Sequence, residues 1–180
     1  MIWFSADCHL SHKNIIKYCN RPFKDVDEMD KTILNNFKRT IRPKDTLYFL
    51  GDLTFNKNAA YLFFAALTDV EIHFILGNHD SSKIRKIAEE YCQSVSRLKE
   101  IKIKGISITL CHYAMRVWNA SHYNSWQLYG HSHGTLPPTG KQWDVGVDNH
   151  GFFPICFEEL DEIMEQQPNN VNYLSPKKRR

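Results

Sequence analysis

The sequence predicts an α/β protein in which two packed sheets are flanked by helices, and three observations support this. Short runs rich in β-branched and aromatic residues alternate with helical patterns in the first half of the chain. The second half is mostly strand-like. A chain of 180 residues without a repeat or a Gly/Ser linker suits one domain. We expect that domain over residues 1–167, followed by a flexible basic tail over residues 168–180.

Five runs are predicted to be buried strands, and each one ends in Asp, Asn or His. They are MIWFSAD, TLYFLGD, EIHFILGNHD, ISITLCH and WQLYGHSH. Between the first two, apolar residues recur at spacings of three and four, which predicts an amphipathic helix preceded by a capping box of Asp25 and Glu28. The apolar face of that helix comprises Val26, Met29, Ile33, Phe37 and Ile41.

The second half predicts an antiparallel pair followed by further strands and a final helix. EIKIKGISITL alternates apolar with polar residues around Lys104 and Gly105, which is typical of two strands joined by a tight turn. KQWDVGVD and FFPICFEE are predicted to be strands, and EELDEIMEQ a helix. Open α/β sheets bind ligands beyond the carboxyl ends of their strands, where the polar residues of this chain fall.

Composition and charge argue against several classes of protein. The five cysteines are scattered and contain no Cys-x-x-Cys pair, so a disulfide framework or a thiolate zinc site is not expected. No segment approaches the roughly 18 to 20 apolar residues of a membrane span, and the N-terminus lacks the pattern of a signal peptide, so we expect a cytoplasmic protein. Of 23 Lys and Arg residues, four form the terminal KKRR, and the other 19 nearly balance 20 acidic residues. The tail is either a solubilising end or a contact for nucleic acid or another anionic partner.

Seven nitrogen and oxygen donors follow the predicted strands. They form two pairs with a spacing of two, Asp7 with His9 and His131 with His133, and in extended backbone each pair would project toward one side. Three further donors come from separate strand ends: Asp52, Asn78 and His112. This set is too large for one tetrahedral zinc and contains no thiolate, but it suits two ions that share a bridging carboxylate. Two such ions stabilise the attacking and the leaving oxygen in a displacement at phosphorus, which indicates a phosphate-ester substrate.

The same residues carry a resemblance to a known family. In order, Asp7-x-His9, Gly51-Asp52, Gly77-Asn78-His79-Asp80, His112 and Gly130-His131-Ser132-His133 resemble the motif set of the calcineurin-like metallophosphoesterases. The resemblance spans roughly residues 1 to 150 and implies a four-layer α/β/β/α sandwich with a two-metal site. It implies one metal on Asp7, His9 and His133, the other on Asn78, His112 and His131, and Asp52 as the bridge.

The resemblance also implies a catalytic role for His79, which is not a metal ligand in the family pattern. His79 would donate a proton to the leaving oxygen or stabilise charge on the phosphoryl group, and Asp80 would orient its ring. A scaffold without catalysis would have no need of His79, so an enzyme is favoured over a binding module.

One departure concerns substrate binding. In the protein phosphatases of this superfamily the Gly-Asp motif continues with an acidic residue and a phosphate-binding arginine, whereas here it continues as GDLTFNKN. This argues against a protein phosphatase and leaves the phosphate contact to another residue. Arg116 is one candidate, with a solvated surface charge as the equal alternative; weaker candidates are His12, Arg21, Asn119 and His122.

The sequence therefore predicts a dinuclear phosphoesterase in which metal-bound hydroxide attacks phosphorus. An open cleft, the aromatic segment HYAMRVWNASHYNSW and the basic tail favour phosphodiesters of nucleotide or nucleic-acid type. A phosphomonoesterase acting on a small metabolite is the alternative, and a binding module without catalysis is a further one. Mixed ligation suits manganese, which we favour, and also iron, nickel, cobalt or zinc. Asp144 and Asp148 are placed to orient ligand histidines.

Overall fold

The computed structural model describes residues 1–175 and contains two sheets with helices packed around them. The elements in chain order are β1 Ile2–Ser5, α1 Ile15–Tyr18, α2 Val26–Thr40, β2 Thr46–Phe49, α3 Lys57–Ala66, β3 Glu71–Ile75, α4 Ser82–Tyr91, β4 Ser94–Ser96, β5 Leu98–Ile103, β6 Ile106–Cys111, β7 Trp126–Tyr129, β8 Gln142–Asp144, β9 Ile155–Cys156 and α5 Phe157–Gln166. Two short 3₁₀ helices cover Ser121–Tyr123 and Val147–Asn149.

Both sheets are mixed, as the predicted fold class requires. The first has the order β4-β3-β2-β1-β9, with β1 to β4 parallel and β9 antiparallel to β1. The second has the order β5-β6-β7-β8, with an antiparallel β5–β6 pair and parallel pairing from β6 to β8. Lys104 and Gly105 join β5 to β6 with φ of 48° and 87°, the left-handed values that a tight hairpin turn needs.

Two cores hold the layers together. The first buries the predicted face of α2, including Met29, Ile33 and Phe37, together with apolar residues of α3, α4 and the first sheet. The second includes buried residues of both sheets, such as Phe4 of β1 and Leu128 of β7, together with the buried face of α5. The Asp25 side chain accepts from the Glu28 amide as predicted, although the Glu28 carboxylate accepts from Lys24 instead of closing the capping box.

The parallel strands bring the predicted donors to one edge of the sandwich. Beyond β1 and β2, the amide of Asp7 donates to the carbonyl of Gly51 at 2.9 Å, and the amide of His9 donates to that of Asp52 at 3.0 Å. The two sheets are joined at the same edge, because the His131 amide donates to Asp7 Oδ2 at 2.8 Å. The segments that follow β1, β2 and β7 and carry the polar residues are therefore joined by direct hydrogen bonds.

The described part of the predicted tail, residues 168–175, lies against the domain. Asn170 is buried, accepts from the Lys141 amide at 2.6 Å and donates to the Ser121 carbonyl at 2.8 Å. The KKRR sequence lies outside the described residues, and the boundary at residue 167 stays a prediction. Within residues 1–175, no helix is long and apolar enough to cross a membrane. All five cysteines are free.

Candidate metal centre

Five of the predicted donors have left-handed backbone, which the sequence did not indicate. Their φ values are 60° at Asp7, 49° at His9, 57° at Asp52, 66° at His131 and 47° at His133. The expectation that each pair projects from extended backbone is therefore wrong. Non-glycine residues in this region cost about 1–3 kcal/mol each and persist only where the surroundings hold them. The tight bends beyond the strands aim these side chains inward.

The first donor group consists of Asp7, His9 and His133, each with one ligand atom within 4.8 Å of the others. Asp7 and His9 are almost completely buried. Among the described residues, Asp7 Oδ1 and both ring nitrogens of His9 have no hydrogen-bond partner. Buried polar atoms are normally hydrogen-bonded, and leaving them unpaired costs free energy. A cation at this position would satisfy Asp7 Oδ1 and one ring nitrogen of His9.

The second donor group consists of Asp52, His112 and His131, again with ligand atoms within 4.8 Å of one another. Asn78 belongs to the same place, since its Oδ1 lies 3.0 Å from His112 Nε2. The other ring nitrogen of His112, Nδ1, lies 2.7 Å from the Leu50 carbonyl. That contact requires a proton on Nδ1, so in the neutral ring Nε2 keeps the lone pair that a metal would need.

The Asp52 carboxylate lies between the two groups. Its Oδ2 is 3.6 Å from His9 Nε2 in the first group and 3.3 Å from His112 Nε2 in the second. Its Oδ1 accepts the backbone N–H of His79 at 2.8 Å. One carboxylate thus reaches both sets of donors, which is the arrangement that two ions sharing a ligand would use.

Burial and charge shift the pKa values of the donors in opposite directions. Burial raises the pKa of Asp7 to about 8 and lowers that of His9 to about 3. At His112 burial lowers the pKa, but the hydrogen bond that its ring donates to Asp52 and the charges of Asp7 and Asp52 outweigh this and raise the pKa to about 9. The positive charges of His112 and His133 offset the burial of the Asp7 carboxylate only in part, so the positive charge that would compensate it fully is missing. The donor set of nitrogen and oxygen atoms fits divalent ions, which would supply that charge.

A buried ion pair supports the first group from behind. The Arg21 guanidinium contacts Asp148 through Nε and Nη2 at 2.8 Å each, and Asp148 Oδ2 lies 2.7 Å from His133 Nδ1. Arg21 was a weaker candidate for the phosphate contact in the sequence. This prediction is wrong, because its side chain is fully buried. Asp148 contacts a donor histidine as predicted, whereas the Asp144 carboxylate accepts the amides of Gly134 and Gly146.

His79 and Asp80 have different surroundings. The His79 side chain is 44% exposed, and its Nε2 lies 3.9 Å from Asp52 Oδ2, at the edge of both donor groups. The prediction that Asp80 orients the His79 ring is wrong. The Asp80 carboxylate instead accepts the backbone amides of Asp52, Leu53 and Gly77 at 2.8 to 3.1 Å, so it joins the two loops beyond β2 and β3.

A cleft of about 660 Å³ opens on the donors. Of the candidate side chains for the phosphate contact, only one lines it. His12 lines this cleft together with His79. Arg116 instead lines a neighbouring cavity of about 230 Å³, because Gln142 donates to the Met115 carbonyl and holds this loop over β7 and β8. His122 lies in the first 3₁₀ helix, and the residues described as lining these two cavities do not include it.

Several contributors to the site were missed in the sequence. Tyr18, Cys19 and Leu136 line the cleft, and Cys19 forms a third group of potential ligands with His133 and Asp148. Helix α1, which carries Tyr18, has only four residues, too few for a periodic pattern to reveal it. The sequence did carry one signal of the tight packing around the donors: a glycine directly precedes Asp52, Asn78 and His131.

The chain is similar to several known proteins. The family model described as calcineurin-like phosphoesterase matches residues 1–174. An uncharacterized protein of Methanocaldococcus jannaschii is 33% identical over 174 residues, covering 92% of each chain. A solved structure of a protein of unknown function from Aquifex aeolicus has a TM-score of 0.72 and 26% identity, covering 91% of this chain and 98% of its own. An archaeal phosphodiesterase structure has a TM-score of 0.49 and 13% identity, covering 81% of both chains.

Proposed function

Since the chain belongs to the calcineurin-like phosphoesterase family, we propose that it is a dinuclear metal-dependent hydrolase of phosphate esters. The observation that carries the proposal is the position of Asp52, whose Oδ2 lies within 3.6 Å of a histidine nitrogen in each donor group. A carboxylate that reaches nitrogen donors on both sides supports a site for two ions, and the unpaired atoms of Asp7 and His9 add to this in the first group.

The seven donors divide between the two ions. Asp7, His9 and His133 hold one ion, Asn78, His112 and His131 hold the other, and Asp52 is shared. Bound divalent ions lower the pKa of a water molecule and stabilise the charges of the attacking and leaving oxygens. The proposal favours manganese, and the nitrogen and oxygen ligands also suit iron, nickel, cobalt or zinc.

The chain itself contributes proton transfer and positioning. The half-exposed ring of His79 lines the cleft, and its backbone amide is fixed by Asp52 Oδ1 at 2.8 Å. From there it would give a proton to the leaving oxygen or stabilise the phosphoryl oxygens. Asp80 is a positioning residue, because its carboxylate holds the loops that carry Asp52 and His79.

The cleft favours a phosphodiester over a phosphomonoester of a small metabolite. It is open and encloses about 660 Å³, which leaves room for substituents on two sides of the phosphorus. We therefore propose nucleotide or nucleic-acid-type diesters as substrates and retain the monoester as the alternative.

Hydrolysis of bis-p-nitrophenyl phosphate and p-nitrophenyl phosphate with Mn²⁺ tests the proposal. We expect turnover of the diester that is abolished in Asp52→Asn and reduced about 10²- to 10⁴-fold in His79→Ala, the range for lost acid–base catalysis. Matched controls are Asp27→Asn, on the exposed face of α2, and His122→Ala, outside the cleft; both should be unaffected. Turnover of the monoester alone would favour the alternative substrate. No turnover with any of the five metals would contradict the enzyme proposal.

A further inference from the structure

The cleft beside the donor groups continues into a part that neither group uses. Its total volume of about 660 Å³ lies within the range of roughly 300–1,000 Å³ for pockets that enclose drug-sized ligands. Ile15 and Tyr18 of α1 and Leu136 beyond β7 line this part, so it is apolar where the rest of the cleft presents imidazoles. A ligand that fills the cleft must therefore carry more than a phosphate group.

Aromatic rings connect this apolar part with the donors. The Tyr18 ring lies 6.3 Å from the His12 ring, which in turn lies 5.7 Å from that of His9 and 5.3 Å from that of Phe55. Tyr18 is 74% exposed and Phe55 is 50% exposed. Large aromatic faces left in water beside a binding cleft are suited to stack on a planar group of the ligand.

We propose that Tyr18 forms the stacking surface for a nucleobase-sized ring attached to the scissile phosphate. Ser132 and Thr135, which also line the cleft, supply hydrogen-bonding groups for the edge of such a ring. Among the described residues that line the cleft there is no Lys or Arg. Affinity for a nucleic-acid chain depends on Lys and Arg side chains that contact many phosphates. The lining of this cleft therefore favours a small nucleotide ester over a polymer.

The inference rests on the proposed function for hydrolysis, but ring binding can be measured without turnover. NMR titration of the full chain without metal compares adenosine 5′-monophosphate with ribose 5-phosphate, which share the phosphate and the sugar. We expect about tenfold tighter binding of the nucleotide, from stacking of one base. Tyr18→Ala should remove this preference and Tyr18→Phe should keep it. Tyr61→Ala is the control, since Tyr61 is 40% exposed on α3 and does not line the cleft.

Turnover with Mn²⁺ provides the second readout. Thymidine 5′-p-nitrophenyl phosphate and methyl p-nitrophenyl phosphate release the same leaving group, and the first should have the higher kcat/KM through a lower KM. Tyr18→Ala should reduce only that advantage. Equal binding of the two monophosphates, or a preference that survives Tyr18→Ala, would overturn the inference. If the binding preference depends on Tyr18 while neither diester is hydrolysed, ring binding at Tyr18 stands and the proposed function fails.

Discussion

Arg21 and Asp148 form a bidentate ion pair in the interior, with both nitrogen–oxygen distances at 2.8 Å. The guanidinium also donates to the backbone carbonyls of Asp7 at 2.7 Å and Cys8 at 2.9 Å. Asp148 Oδ2, which Arg21 Nη2 also contacts, lies 2.7 Å from His133 Nδ1. Burial lowers the pKa of His133, but the hydrogen bond to Asp148 outweighs it and raises that pKa above its ordinary value. The pair therefore links the backbone of one donor to the ring of another across two sheets.

Removal of the Arg21 charge should strongly destabilise the protein. Arg21→Met would leave the buried Asp148 carboxylate with His133 but without the guanidinium, and breaking a buried ion pair in this way costs about 3–5 kcal/mol. Urea unfolding of the protein without metal measures the loss of unfolding free energy. The control is Arg85→Met, which breaks the exposed pair of Arg85 with Glu89 and should cost only about 0.3–0.5 kcal/mol. Similar losses in both variants would show that the buried pair has no special weight.

Asp148→Asn should weaken metal binding although Asp148 is not one of the seven donors. The substitution keeps the shape of the side chain but removes the charge that holds His133 in one orientation, and loss of such a partner typically lowers metal affinity about 10- to 100-fold. Calorimetric titration with Mn²⁺ measures the affinity, with Asp27→Asn as the control. An unchanged affinity in Asp148→Asn would mean that Arg21 and the backbone suffice to place His133.

The two residues of this pair show where prediction from sequence succeeds and fails. Strands β1, β2, β3, β6 and β7 were predictable because each is a short apolar run, and the polar residues at their ends marked the donors. Strand β4, Ser94–Ser96, has no such run and was not predicted. Arg21 lies 127 positions from Asp148, and no periodic pattern connects them. The left-handed backbone at Asp7 and His9 was equally hidden, because local preference favours extended backbone there and only contacts with other segments hold the bend.

Gly130→Ala should damage the candidate metal centre through lack of space. A Cβ at this position would lie 2.6 Å from both Asp7 Oδ2 and Ala6 Cβ, so the Asp7 carboxylate or the strand end must move. We expect loss of Mn²⁺ affinity together with a lower melting temperature. Gly105→Ala is the contrasting control: its Cβ would meet nothing within 4 Å, and only the left-handed φ of +87° is strained. It should lower stability without changing metal affinity, and a Gly130→Ala protein that binds Mn²⁺ normally would contradict the argument.

His73 should make stability depend on pH below neutrality. It lies in β3, with Nδ1 2.8 Å from Ser94 Oγ, Nε2 3.2 Å from Glu71 Oε1 and its ring stacked on Tyr48. Burial lowers its pKa from the ordinary value of 6.5, and the charge of Lys99 adds to this although Glu71 opposes it. The unfolded chain therefore binds the proton more readily than the folded one.

The resulting stability is fully present above pH 6.5 and is lost as the pH falls through the lowered folded-state pKa of His73. We expect the free energy of unfolding to fall more between pH 7.5 and about 5 in the natural protein than in His73→Gln, which has no titrating ring at this position. Urea unfolding without metal, at a series of pH values, measures the difference, because the histidines of the metal centre contribute equally to both proteins. Equal losses, or a larger loss in His73→Gln, would show that the hydrogen bonds to Ser94 and Glu71 hold the proton as well as water does.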